Sequence, residues 1–243
     1  MTFLDFLNAL PTGLDKFCHE ISTRNNRDRW ILLKKILRAA FDAGRYNDPD
    51  RQRNPAPFMA DKDHDDPLEV SEQEKWSGYW RIRTLDKNEC PAGPLVTKAV
   101  AHLRTEEGGS IADFGCGRGA ALQEFDDKQL LPLGVDIASN ALDERAAAHF
   151  PFLRACLWNL PDCLGFDYGY CVNVMEILPE KKIDDALLDM AVYVKHGIFF
   201  QMELVGPHTY GKNAEWWGDT LAVRFDQVVK VEENEKVVQF VAR

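Results

Sequence analysis

Ile111-Ala112-Asp113-Phe114-Gly115-Cys116-Gly117-Arg118-Gly119-Ala120 decides the fold of this chain, together with Gly134-Val135-Asp136, whose acid stands seventeen residues past Gly119. An apolar run with an acid near its end opens into three glycines at alternate positions, and a second acid closes the next apolar run. This pattern predicts a strand that turns sharply into a helix. Glycine adopts positive φ freely and lets the main chain approach a ligand with no Cβ between them. The carboxylate ending the second strand is then placed to accept from both hydroxyls of a ribose. An α/β nucleoside-binding fold is the expectation.

Working outward, strands and helices alternate. A helix is expected over 95–103, a strand over 111–114, a helix from 118 to 125, a strand over 133–136 and a helix over 140–149. Strands follow at 152–156, 168–173 and 198–202, with a helix over 183–194 that runs into the stop signal Lys195-His196-Gly197. A helix over 214–225 precedes two strands, 227–231 and 237–241, which pair across Glu232-Glu233-Asn234-Glu235. Such alternation implies a doubly wound, mostly parallel sheet with helices on both faces, closed by an antiparallel hairpin.

The chain divides near residue 90. Ahead of it, Asn26–Gly44 has the apolar spacing and terminal signals of a helix, with shorter helical pieces over 3–10 and 14–21. Residues 45–67 are rich in Asp, Asn, Arg and Pro, have no usable period, and are expected to form a loop or linker. Residues 1–89 are therefore expected to be a helical cap, and 90–243 the nucleoside-binding domain.

The 243 residues carry a net charge of −10, which argues against a whole-protein grip on nucleic acid or an anionic membrane. Residues 24–53 depart from this, with nine Lys or Arg against four Asp. That segment is a candidate phosphate-binding patch or the solvated face of a helix. The first ten residues lack a basic secretory n-region, and no apolar run approaches the ~18 residues of a membrane span, so a cytoplasmic protein is expected. The six cysteines form no C-x-x-C pair and no zinc-ligand spacing, so buried thiols and no structural metal are expected.

With these motifs in place, residues 90–243 resemble the class I S-adenosylmethionine-dependent methyltransferase family. Asp113-Phe114-Gly115-Cys116-Gly117-Arg118-Gly119 is similar to that family's acid-x-Gly-x-Gly-x-Gly loop. The resemblance implies a Rossmann-like, seven-stranded sheet that binds S-adenosyl-L-methionine. Gly115, Cys116, Gly117 and Gly119 would cradle the methionine part, and Asp113 would order the loop or the amino group. Asp136 would hold the ribose and Ile137 would touch the adenine. The glycine spacing also satisfies the G-x-G-x-x-[G/A] of an NAD-type Rossmann domain. Asp113 ahead of the first glycine, the mid-chain position of the motif and the terminal strand pair favour the methyltransferase pattern.

Arg154-Ala155-Cys156-Leu157-Trp158-Asn159-Leu160-Pro161 resembles the family segment that presents an acid to the adenine amino group, yet Cys156 stands where that acid would be. Leu157, Trp158 and Asn159 are the remaining candidates there. Asn173-Val174-Met175-Glu176-Ile177-Leu178-Pro179 resembles a segment that often carries a histidine, replaced here by Ile177. Asn173, at the end of a central strand, is a candidate cofactor contact. His208 and Glu203, beyond the next strand, are the candidate bases for removing an acceptor proton. Trp216 of the adjacent pair Trp216-Trp217 is a candidate wall of the acceptor pocket, because neighbouring helical side chains point about 100° apart. Tyr79, Trp80 and Arg81 could clamp the cofactor or the acceptor; in many family members the preceding segment folds over the site. The expected function is methyl transfer to a small-molecule or sugar-like acceptor. The alternatives are a catalytically silent partner protein of the same fold, supported by Cys156 and Ile177, and a nucleic-acid methyltransferase using residues 24–53.

Overall fold

The computed structural model describes residues 59–61, 66–82, 91–138, 140–160, 165–206 and 209–243. Its elements in chain order are β1 (Met59–Asp61), α1 (Pro67–Ile82), α2 (Ala92–Leu103), β2 (Ser110–Phe114), α3 (Ala120–Asp127), β3 (Leu131–Asp136), α4 (Glu144–His149), β4 (Phe152–Arg154), β5 (Tyr168–Val172), α5 (Ile183–Tyr193), β6 (Ile198–Glu203), α6 (Ala214–Ala222), β7 (Val228–Glu233) and β8 (Val237–Ala242). The predicted helices over 3–10, 14–21 and 26–44 lie outside the described residues.

One sheet joins all the strands in the order β1-β4-β3-β2-β5-β6-β8-β7. Every neighbouring pair is parallel except β6–β8 and β7–β8, which are antiparallel. The seven expected strands are present, and the sheet gains an eighth. Met59–Asp61, expected to be loop, pairs in parallel with Phe152–Arg154 at the sheet edge. Three residues are too few to display a period, so only pairing with β4 makes them a strand.

Alternation along the strands sorts side chains between two layers. Ala112, Phe114, Phe200 and Met202 pack with Leu187 and Met190 of α5 and Trp217 and Leu221 of α6. Ile111, Tyr170 and Phe199 point the other way, onto Val96 and Ala99 of α2 and Phe125 of α3. Because both faces are covered, β2 and β5 are buried along their whole length, as central parallel strands must be. The Tyr170 hydroxyl donates to the Ala92 carbonyl and ties α2 to the sheet.

Helix α4 is shorter than the predicted 140–149. It starts after Asp143, whose carboxylate accepts from Ala146 N at 2.7 Å, so an N-cap further along the segment sets the boundary. The chain leaves β2 in one direction to build β3 and β4, then crosses back to β5. The strand order therefore reverses between β2 and β5, and ligands of open α/β sheets bind at such a point.

Candidate functional site

At that reversal, Gly115 and Gly117 hold φ of 77° and 48°, a left-handed conformation that strains any residue with a Cβ. The amides of Gly115 and Cys116 both donate to Val135 O, at 2.7 and 3.0 Å, which fastens the loop to β3. A Cβ on Gly115 would stand 2.3 Å from Val174 Cγ2, so the loops after β2 and β5 touch here. Gly119 caps the N-terminus of α3. Cys116 is buried, as are Cys156 and Cys171; Cys18, Cys90 and Cys163 lie outside the described residues.

Two carboxylates underlie this loop. Asp136 accepts from Gly117 N at 3.0 Å and from Ala138 N at 2.9 Å. Burial raises its pKa to about 6, opposed by those main-chain donors. Asp113 is buried and its Oδ2 has no hydrogen-bond partner among the described residues. Burial first, and the Asp136 charge second, push its pKa up to about 8. Next to a cationic group Asp113 would ionise; without one it holds its proton near neutrality.

The segment after β4 forms the next wall. Leu157 and Trp158 are buried, Ile137 packs against the same cluster, and Trp158 Nε1 has no partner among the described residues. Helix α1 lies across this end of the sheet. Asn159 Nδ2 donates to Glu69 Oε1 at 2.8 Å, Asn140 Nδ2 to Ser77 O at 3.0 Å, and Arg118 Nη2 to Trp80 O at 3.0 Å. Positions 69, 77 and 80 thus meet the loops after β4, β3 and β2 in spatial order. The Trp80 ring packs on Gly117, where a Cβ would come within 3.0 Å of it, and the Arg118 guanidinium lies 5.3 Å from its centroid. Tyr79 stands edge-on to Trp76 and Trp80, whereas Arg81 is exposed.

Across the reversal, Asn173 has φ 56°, and strain of this kind concentrates at functional sites. Its Nδ2 donates to Glu203 Oε1 at 2.9 Å, its Oδ1 accepts from Gln201 Nε2 at 3.0 Å, and Gln201 Oε1 accepts from Gln239 Nε2 at 2.7 Å. The carboxylate can only accept, so it fixes the donor direction of every amide behind it. Glu203 N also donates to Glu176 Oε1 at 2.9 Å, and burial raises the Glu176 pKa to about 7. The structure thus joins Asn173 to Glu203, while His208 lies outside the described residues. Trp217 is fully buried; Trp216 is half-buried, with the Lys212 ammonium 4.4 Å from its ring centroid.

Sequence inspection missed Glu69 and Gln239. Polar residues on strands and a mainly polar helix give no periodic signal for burial, and only the tertiary partners reveal them. Among the described residues no three His, Cys, Asp or Glu side chains converge as metal ligands would, and no helix is long and apolar enough to cross a membrane. A groove of about 750 Å³ lined by His102, Arg104, Tyr168, His196 and Arg243 holds none of the predicted site residues.

No protein-family profile matches the sequence. No curated protein matches it at a significant level. Solved structures do share its fold. A Burkholderia thailandensis 1,6-didemethyltoxoflavin-N1-methyltransferase, with 1,6-didemethyltoxoflavin and S-adenosylhomocysteine bound, superposes with a TM-score of 0.60 at 14% identity, covering 77% of this chain and 93% of that one. A SAM-dependent methyltransferase from Aquifex aeolicus superposes with a TM-score of 0.51 at 16% identity, covering 71% and 96%. The small RNA methyltransferase HEN1 gives 0.50 at 18% identity, over 62% of this chain and 25% of that one. The fold is that of the class I S-adenosylmethionine-dependent methyltransferases.

Proposed function

We propose that this chain binds S-adenosylmethionine at the reversal point and transfers its methyl group to a small-molecule or sugar-like acceptor. The observation that carries the reading is the pairing of a glycine cradle with two buried acids. Gly115 and Gly117 turn the chain at positive φ where a Cβ would strike Val174 and the Trp80 ring, and Asp113 Oδ2 is a buried acceptor lacking a donor among the described residues. Both features fit a cofactor with a cationic amino-acid end and a ribose.

When bound, the cofactor supplies an electrophilic methyl on a sulfonium centre. Asp113, Gly115, Gly117 and Gly119 would hold its amino-acid end, Asp136 its ribose, and Ile137, Leu157 and Trp158 its base. Asn173 would border the reacting region and orient Glu203, which can accept a proton from the acceptor. His208 is the other candidate base, and Tyr79, Trp80, Arg81 and Trp216 are candidate acceptor contacts. Residues 1–89 would act as a cap over residues 90–243. Alignment of the two reactants would supply much of the rate, since an in-line displacement gains from fixed geometry.

Calorimetric titration with S-adenosylmethionine, S-adenosylhomocysteine and NAD tests this. Micromolar binding of the first two, lost in Asp136→Ala, is expected, followed by labelled-methyl transfer into a small-molecule fraction. Binding of NAD alone, or of none of the three, would overturn the cofactor reading. Transfer into RNA alone would overturn the acceptor reading.

A further inference from the structure

At the opposite end of the sheet from the glycine loop lies the groove of about 750 Å³, a size within the ~300–1,000 Å³ usual for small-molecule sites. Tyr168 opens β5 and Asn173 follows its last residue, so about 16 Å of strand separates the groove from the reversal point. The floor is apolar, made by Leu103, Val229, Val231 and Val241, and Val229 is 52% exposed on the edge strand β7. One wall is aromatic. The Tyr168 ring lies 5.6 Å from the His196 ring, and its hydroxyl accepts from Glu106 N at 3.2 Å. The rim carries two exposed arginines, Arg104 and Arg243, in a chain of net charge −10. Lys98, Lys212, Arg224 and Lys230 each rest on a carboxylate, whereas among the described residues neither Arg104 nor Arg243 forms an ion pair. Arg104 ends α2 at φ 54°, a left-handed position that glycine usually fills, so an arginine there lowers stability. Arg243 is held in place: its Nη2 donates to His102 O at 2.8 Å, and its Cγ would lie 2.9 Å from a Cβ on Gly197. The fold thus keeps two guanidiniums without acidic partners at the edge of an apolar trough, which its own packing does not require.

We propose that this groove is a second ligand site, taking a small organic anion whose carboxylate, phosphate or sulfonate head meets Arg104 and Arg243 and whose apolar or aromatic body rests on Val229 and Val231. A guanidinium presents N–H donors in a plane that matches such oxyanions. A long polyanion such as RNA is disfavoured by the net charge of −10, and the volume of the groove suits a small molecule. The site stands apart from the cofactor reading and shares no residue with it.

The test titrates the full chain with two fluorescent probes of one skeleton, 8-anilinonaphthalene-1-sulfonate and its uncharged parent N-phenyl-1-naphthylamine. Saturable binding of the sulfonate is expected, tighter than the parent by roughly tenfold, the combined effect of two exposed ion pairs. Arg104→Ala with Arg243→Ala should abolish that preference, and Val229→Ser should weaken both probes alike. Arg104→Gly should lower the preference by roughly threefold, the share of one ion pair. It should nevertheless melt no lower than wild type, because glycine relieves the left-handed strain. Saturating S-adenosylhomocysteine should leave the sulfonate bound. Equal affinity of wild type for the two probes, a preference that survives the double arginine variant, or displacement of the sulfonate by S-adenosylhomocysteine would overturn the proposal. Circular dichroism checks that the double variant folds. If it does not, Arg104→Gly decides, and an unchanged preference there would equally refute the site.

Discussion

Replacing Gly115 by alanine should damage the fold before it touches any chemistry. The residue sits at φ 77°, where an alanine costs about 1–2 kcal/mol. Its new Cβ would lie 2.3 Å from Val174 Cγ2 and 2.8 Å from Cγ1. Val174 is buried, and the loop cannot slide away because the Gly115 and Cys116 amides share Val135 O. Forcing an extra methyl into a packed site costs about 1–3 kcal/mol. Together these give about 2–5 kcal/mol, or a fall in Tm of about 4–20 °C for a domain of this size. Thermal and urea unfolding of G115A measure it directly. The double variant with Val174→Ala should recover the steric part, as a favourable coupling of about 1–3 kcal/mol in a double-mutant cycle. The backbone part should persist. If G115A melts within 2 °C of wild type, or the two substitutions prove additive, the close approach of these loops is wrong.

The fold raises the pKa of Asp136 to about 6, of Glu176 to about 7 and of Asp113 to about 8, so it binds protons more tightly than the unfolded chain. Their stabilisation is complete near pH 4 and is lost as pH rises through those values. The Tm of the unliganded protein should therefore fall between pH 5 and 8.5; a rise over that window would contradict the burial of these groups. Asp113→Asn, neutral and nearly isosteric, should melt several degrees above wild type at pH 8 and bind S-adenosylmethionine more weakly by calorimetry. Unchanged values on both counts would remove Asp113 from the site. At Asn173, glycine should be more stable than alanine by about 1 kcal/mol in urea unfolding, because both lose the amide bonds but only alanine bears the left-handed strain. Equal stabilities would indicate that the backbone relaxes there.

The parts of this molecule visible in the sequence were those that repeat a simple physical rule. Fully apolar runs such as Tyr168–Val172 can only be central strands, and the glycines at 115, 117 and 119 announce a turn. Asp113 and Asp136 were conspicuous because acids at the ends of apolar runs have no packing role. β1 was hidden because three residues acquire their conformation from β4 alone. The helix over residues 67–82 was hidden for another reason. It is held by hydrogen bonds donated to it by Asn159, Asn140 and Arg118 from three separate loops, and these depend on how the strands are ordered in space rather than in sequence. Nothing in the sequence pairs Gln201 with Gln239; only the alignment of β6 beside β8 makes them partners.

Those amides have a further consequence. From Gln239 through Gln201 and Asn173 to Glu203, the dipoles run head to tail toward one negative charge, and Gln239 Oε1 at the far end has no partner among the described residues. No single amide can rotate without setting donor against donor or acceptor against acceptor, so the row is a polar wire that inverts as a whole or not at all. A change of charge at Glu203 therefore has a readable far end on the terminal hairpin. The side-chain amide resonances of Gln239 should move in Glu203→Gln, and a Gln239 blind to that substitution would mean the wire is broken.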